Sequence, residues 1–154
     1  SFGQTFKTTP IQELTAIASV ANGGTLITPH VVTRLVDDEG NTIMDVTPEP
    51  KRVVISEATA ALINDILEEG VSTGGAAKNA YVKGYKVAAK TGTSEKTDIR
   101  DEEGNTYLRI GSCVAYAPAD DPQVAIIILA DEPTRGSLYG STVAAPYIAN
   151  VLER

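Results

Sequence analysis

Four consecutive residues, Lys90-Thr91-Gly92-Thr93, carry the clearest chemistry in this chain. They lie within a run of strand-like residues. Alternation along a strand puts Thr91 and Thr93 on one face and Lys90 on the other. Two hydroxyls so spaced can hold a carboxylate between them. Gly92 removes a side chain, which lets another backbone or a ligand approach. Ala88 and Gly92 flank Lys90 on its own face and leave room for the long side chain to run inward toward a partner. A buried ammonium must be paired or hydrogen-bonded, so that arrangement points to function. The competing reading is an edge strand with a solvated lysine and threonines present for β-propensity. At average residue usage, Lys-Thr-Gly-Thr/Ser arises by chance in roughly one such chain in a few hundred.

Other reactive residues offer less. The single histidine, His30, follows Pro29 and precedes β-branched residues, which suits a structural or surface position better than a Ser-His-Asp triad. The single cysteine, Cys113, has no disulfide partner and no zinc-like spacing. It reads as a small core residue. The acidic runs Asp37-Asp38-Glu39 and Asp101-Glu102-Glu103 each precede a Gly-Asn pair, so both read as solvated turns and not as metal sites. No metal and no organic cofactor is expected.

The elements around the motif follow from periodicity. Thr9 caps a helix over residues 9–22, with Pro10 in its first turn and Gln12 completing a capping box. Its apolar face is Ile11, Leu14, Ala18 and Ala21, and Gly23-Gly24 ends it. Residues 31–36 and 42–46 form a hairpin, and Pro48 and Pro50 break the chain after it. Ser56 caps a second helix with Leu62, Ile63, Ile66 and Leu67 as its stripe, ending near Gly70. Residues 72–80 read as a loop. Strands are expected at 85–94, 109–117 and 123–131. The last two are joined antiparallel by the turn Pro118-Ala119-Asp120-Asp121-Pro122. The continuous apolar run of 124–130 suggests burial on both faces. A final helix over 141–152 carries Val143, Tyr147, Ile148, Val151 and Leu152, with Pro146 in its first turn or kinking it. In the middle strand Gly111, Cys113, Ala115 and Ala117 share a smooth face on which a helix can pack closely. The fold class is α+β, a mostly antiparallel sheet packed by helices.

With 154 residues, 42% of them hydrophobic, the chain can bury a core built on Ala, Val, Ile and Leu. A net charge of −7 with no Lys/Arg cluster argues against nucleic-acid binding. The longest apolar run, 124–130, is far too short to cross a bilayer. The chain begins at Ser1 and reads as a piece of a longer protein.

Lys-Thr-Gly belongs with S-x-x-K and S-D-N to the signature of serine penicillin-recognising enzymes. Around it the chain resembles the class B (monofunctional) penicillin-binding proteins over nearly its whole length. The resembling pieces, in order, are Phe2-Gly3-Gln4, Thr9-Pro10-Ile11-Gln12, Ala21-Asn22-Gly23-Gly24, Pro29-His30 and 55–67. They continue with 84–94 around the motif, Ala115-Tyr116-Ala117-Pro118-Ala119-Asp120, Asp131-Glu132-Pro133, Tyr139-Gly140 and Thr142-Val143-Ala144-Ala145-Pro146. Ala89 stands where many relatives have Gly. The resemblance implies a partial serine β-lactamase/D,D-transpeptidase-like fold. It also implies that Lys90 joins the hydrogen bonds around a nucleophilic serine. Thr91 and Thr93 would bind a substrate or β-lactam carboxylate, and the Thr93 N–H would serve the oxyanion hole.

None of the eight serines begins S-x-x-K or S-x-N. The nucleophile is therefore expected in a missing N-terminal part of the same domain, and residues 1–154 alone should be catalytically silent. The implied parent is a peptidoglycan D,D-transpeptidase that cross-links stem peptides through an acyl-serine, is acylated by β-lactams, and sits outside the cytoplasmic membrane on an N-terminal anchor. Two alternatives stand beside it: a β-lactam sensor or class D-like β-lactamase fragment, and a non-catalytic scaffold domain of a cell-wall complex. Apolar surface left bare by the missing part should make the chain self-associate.

Overall fold

Small residues decide how the sheet is covered. The computed structural model describes residues 7–154, so the Phe2-Gly3-Gln4 stretch lies outside the described residues. In chain order the elements are α1 (Pro10–Ala21), β1 (Thr25–Ile27), β2 (Arg34–Val36), β3 (Thr42–Asp45), β4 (Pro50–Val53), α2 (Glu57–Ser72) and a 3-10 turn (Lys78–Ala80). There follow β5 (Ala88–Glu95), β6 (Arg109–Ala117), β7 (Val124–Asp131), α3 (Gly140–Val143) and α4 (Ala145–Leu152). The last three strands form an antiparallel sheet in the order β5-β6-β7. The α+β expectation holds.

Gly111, Cys113, Ala115 and Ala117 do share one face of β6, and a helix does lie close on it. Cys113, Ala115 and Ala117 join Val87, Ala144, Ala145 and Ile148 in one buried cluster. A Cβ on Gly111 would stand 2.4 Å from Val143 Cγ2. On the opposite face Ala88 and Tyr116 are buried under Ile17, Val20 and Ala21 of α1 and Leu67 of α2.

The α1 cap forms as its sequence requires. Thr9 Oγ1 accepts the N–H of Gln12 at 3.3 Å, and Gln12 Oε1 accepts the N–H of Thr9 at 3.0 Å. Replacing Thr9 with alanine orphans that donor and should cost about 1 kcal/mol. Denaturant unfolding of the variant checks this.

The helix faces are corrected. Ile11 is 52% exposed, and α1 meets the sheet through Ile17, Val20 and Ala21, because only its second half overlies Tyr116. In α2, Leu62 and Ile66 are exposed, while Ala60 and Val71 are buried and Leu67 packs on Tyr116. The Tyr116 hydroxyl donates to Asn64 Oδ1 at 2.9 Å. That bond fixes the rotation of α2 with the Ala60-Asn64-Leu67-Val71 stripe inward.

The strands also differ in part. Among the described residues β7 pairs only with β6, and its residues are half-buried or exposed, so the two-sided burial expected of its apolar run is not found. The helices centre on β5 and β6 and leave the edge strand partly open. The first hairpin strand is shorter than expected, with Val31 almost fully exposed before β2. The sequence reading missed the β1–β4 pair, since Gly23-Gly24 and Pro50 had marked only breaks. A proline can begin a strand where no ladder N–H is needed. Gly24 is required there: its φ is +98°, and a Cβ would stand 2.1 Å from the Ile55 carbonyl oxygen. Within the expected 72–80 loop, Ala77 and Ala80 are buried. The C-terminal segment divides at Ala144, whose φ of −128° separates α3 from α4, with Pro146 in the first turn of α4.

Both acidic runs are turns of one kind. Asp37 Oδ1 accepts the Asn41 N–H at 2.8 Å and Asp101 Oδ1 accepts the Asn105 N–H at 2.7 Å. Gly40 and Gly104 both have φ of +85°. The carboxylates are thus used by their own loops, and among the described residues no cluster of potential metal ligands is found. No helix among them is long and apolar enough to cross a membrane.

Candidate functional site

β5 presents Lys90-Thr91-Gly92-Thr93 along the open edge of the three-stranded sheet, since among the described residues it pairs with β6 alone. Register settles the faces. Thr91 stands opposite Cys113 and Thr93 opposite Gly111, on the side that packs α3 and α4. Lys90 stands opposite Val114 and Gly92 opposite Ser112, on the side of Ala88 and Tyr116. The alternation expected from the sequence is therefore present.

The helical cover of that second face stops short of the motif. Ala88 and Tyr116 are at most 1% exposed, whereas Lys90 is exposed and Gly92 and Ser112 are half-buried. The Lys90 ammonium donates to the carbonyl of the adjacent Thr91 at 2.8 Å. Among the described residues it makes no ion pair. The lysine does not run inward to a partner within the described residues: none of their acids pairs with it, and its side chain ends at open surface.

The hydroxyls differ in their engagement. Thr93 Oγ1 accepts the N–H of Gly140, the first residue of α3, at 3.1 Å. Gly92 is tight on its side-chain face, where a Cβ would stand 2.6 Å from Ser112 Oγ. The backbone that approaches the motif is that of Gly140. A Cβ there would stand 2.2 Å from both the Gly92 and the Ser112 carbonyl oxygens. Gly140 is not expected at the site from sequence, where Tyr139-Gly140 is only one of the resembling pieces, because a lone glycine before a short helix is also an ordinary turn residue.

Charges brace the far end of the sheet. The Lys96 ammonium bridges Asp131 Oδ1 at 2.6 Å and Glu132 Oε1 at 2.7 Å, and its hydrogen bonds to Asp131 and Glu132 raise its pKa. Arg109 donates to Glu95 at 2.7 Å. The Thr106 hydroxyl, and then Arg109, hold the Glu95 carboxyl below its ordinary value. The two clusters tie the end of β5 to the start of β6 and the end of β7.

Cys113 stands beside Thr91 as its register partner on β6 and is fully buried. Burial pushes its thiol up to about 12, against the opposing pull of the Lys90 charge. A thiolate is the reactive form, so Cys113 should resist a disulfide reagent at pH 8 in the native protein and react once denatured. Thiol titration with and without denaturant checks this. His30 is exposed on a loop, its Nδ1 3.4 Å from the Thr28 carbonyl, and among the described residues it has no hydrogen bond to a serine or an acid side chain.

Comparison with known proteins decides the family. The penicillin binding protein transpeptidase domain matches residues 1–153. The chain belongs to the penicillin-binding protein transpeptidase domain family. It is 38% identical over 153 residues to stage V sporulation protein D of Bacillus subtilis, covering 99% of this chain and 23% of that protein. It is 29% identical over 152 residues to peptidoglycan D,D-transpeptidase FtsI of Escherichia coli, covering 99% of this chain and 24% of that one. Among solved structures, penicillin-binding protein A of M. tuberculosis as a ceftriaxone acyl-enzyme superposes with a TM-score of 0.85 at 27% identity, over 98% of this chain and 33% of its own. The class B penicillin-binding assignment and the β-lactamase/transpeptidase fold expected from the sequence both hold. The chain spans about a quarter of the length of these curated relatives.

Proposed function

We propose that this chain forms the substrate-binding wall of a peptidoglycan D,D-transpeptidase, with Lys90-Thr91-Gly92-Thr93 as that wall. The observation that carries the reading is the motif's place on an open strand edge, with an uncovered ammonium, inside a chain that matches the transpeptidase family along its length. The hydroxyls of Thr91 and Thr93 bind the terminal carboxylate of a stem peptide or the carboxylate of a β-lactam. Gly92 keeps the strand narrow where the substrate lies against it. Lys90 directs its ammonium to the nucleophilic serine, and the Thr93 N–H donates to the oxyanion.

The nucleophile is supplied by residues outside these 154, since none of the eight serines stands in an S-x-x-K motif. That serine attacks the penultimate D-Ala carbonyl, expels the terminal D-Ala, and passes the acyl group to the amine of a neighbouring peptide. Peptidoglycan fixes the location outside the cytoplasmic membrane. Taken alone, residues 1–154 self-associate through exposed apolar side chains such as Ile43, Leu62 and Ile66. Sedimentation as a clean monomer at high concentration would contradict that.

The test is product analysis with the full-length protein. A pentapeptide ending in D-Ala-D-Ala plus an acceptor amine should release D-Ala and yield the cross-linked peptide, and β-lactam pretreatment should block both. Rapid β-lactam hydrolysis without cross-linking would replace this reading with a β-lactamase. Stable acylation without cross-linking would favour a sensor, and no reaction at all a scaffold.

A further inference from the structure

Two glycines let α3 lie flat against the motif strand. Gly140 is buried, and any Cβ there would collide with the backbone oxygens of Gly92 and Ser112. Gly111 leaves the space that Val143 fills. This close seating delivers the Gly140 N–H to Thr93 Oγ1 at 3.1 Å. A buried N–H has to be paired, and here its acceptor is that hydroxyl. A hydroxyl carries one proton and two lone pairs. With one lone pair taken by an N–H, which can only donate, the Thr93 proton remains to be given elsewhere.

We propose that Gly140 is a positioning residue for substrate-carboxylate recognition: its amide sets Thr93 as a hydrogen-bond donor, and its missing side chain keeps the Gly92 carbonyl and the strand in place. The inference rests on the transpeptidase reading and assigns it a determinant outside the motif. Gly140 touches no substrate and acts through Thr93.

The test compares acylation of the full-length protein by benzylpenicillin and by its methyl ester, which lacks the carboxylate charge. Gly140→Ala should slow the free acid by about tenfold or more while slowing the ester much less, since a hydrogen bond to a charged group is the interaction lost. Thr93→Val should behave likewise, and Thr93→Ser, which keeps the oxygen, should restore the preference for the acid. A loss in Gly140→Ala that is proportionate for acid and ester would make it merely structural and overturn the proposal. Should Gly140→Ala fail to fold, hydrogen exchange at the Gly140 amide decides the matter. Exchange should quicken about tenfold in Thr93→Val, and unchanged exchange would overturn the proposal. Failure of the unaltered protein to react with either compound would sink the transpeptidase reading and this inference together. A normally reactive protein whose acid-to-ester ratio survives Gly140→Ala would sink this inference alone.

Discussion

Replacing Lys90 with alanine in the full-length protein should lower the rate of β-lactam acylation by about 10²- to 10⁴-fold, the range for removing a positioned proton-transfer or charge-stabilising group. Thermal stability should change by less than about 0.5 kcal/mol. The two halves of this expectation have one structural cause. Lys90 is exposed, and its only hydrogen bond among the described residues is to the carbonyl of the next residue. The fold of this chain therefore gains little from it, and its use must lie with groups brought to the open edge of β5. Arginine should rescue poorly, because a planar guanidinium cannot replace a compact ammonium with three rotatable donors. Stopped-flow acylation with a chromogenic cephalosporin, beside a thermal melt, checks both halves. A variant that acylates normally would remove Lys90 from the mechanism.

Replacing Ile148 with alanine should do the reverse, with a large loss of stability as its primary effect. Ile148 is fully buried and packs in one cluster with Cys113, Ala115, Ala144 and Ala145. Its neighbours are mostly small residues fixed on strands and helices, so they cannot collapse into the space it leaves. A buried Ile→Ala change costs about 2–5 kcal/mol, a large share of the 5–15 kcal/mol typical of a domain. The same helix pair holds Gly140 against β5, so loss of this packing should loosen the motif strand as well. Retention of β-lactam binding after heating should fall at a midpoint lower by at least about 5 °C. A shift of a degree or less would mean that α4 is not anchored through Ile148.

Much of this arrangement could be read from residues alone. The Thr9-Pro10-Ile11-Gln12 start of α1 is visible because capping is a local interaction between side chain and nearby backbone. The small face of β6 is visible because strand alternation is local too, and the helices on it follow from its smoothness. What failed depends on distant partners. Leu62 and Ile66 suit a helix stripe as well as Leu67 does, and only the Asn64–Tyr116 hydrogen bond selects between the two sides. The apolar run of β7 signals burial, but the extent of cover depends on where the helices centre. The motif itself was legible as a strand with alternating chemistry. Its inward lysine was not borne out, and its contact with Gly140 could not be foreseen, since residues 93 and 140 meet only in the folded chain.

The central claim is that this chain supplies a binding wall while the nucleophile comes from elsewhere. Fluorescent-penicillin labelling of the 154-residue chain beside the full-length protein tests it most directly. The account predicts covalent label on the full-length protein, abolished by prior benzylpenicillin, and none on the chain alone. Covalent label on the chain alone would contradict it, because one of its own serines would then be the nucleophile.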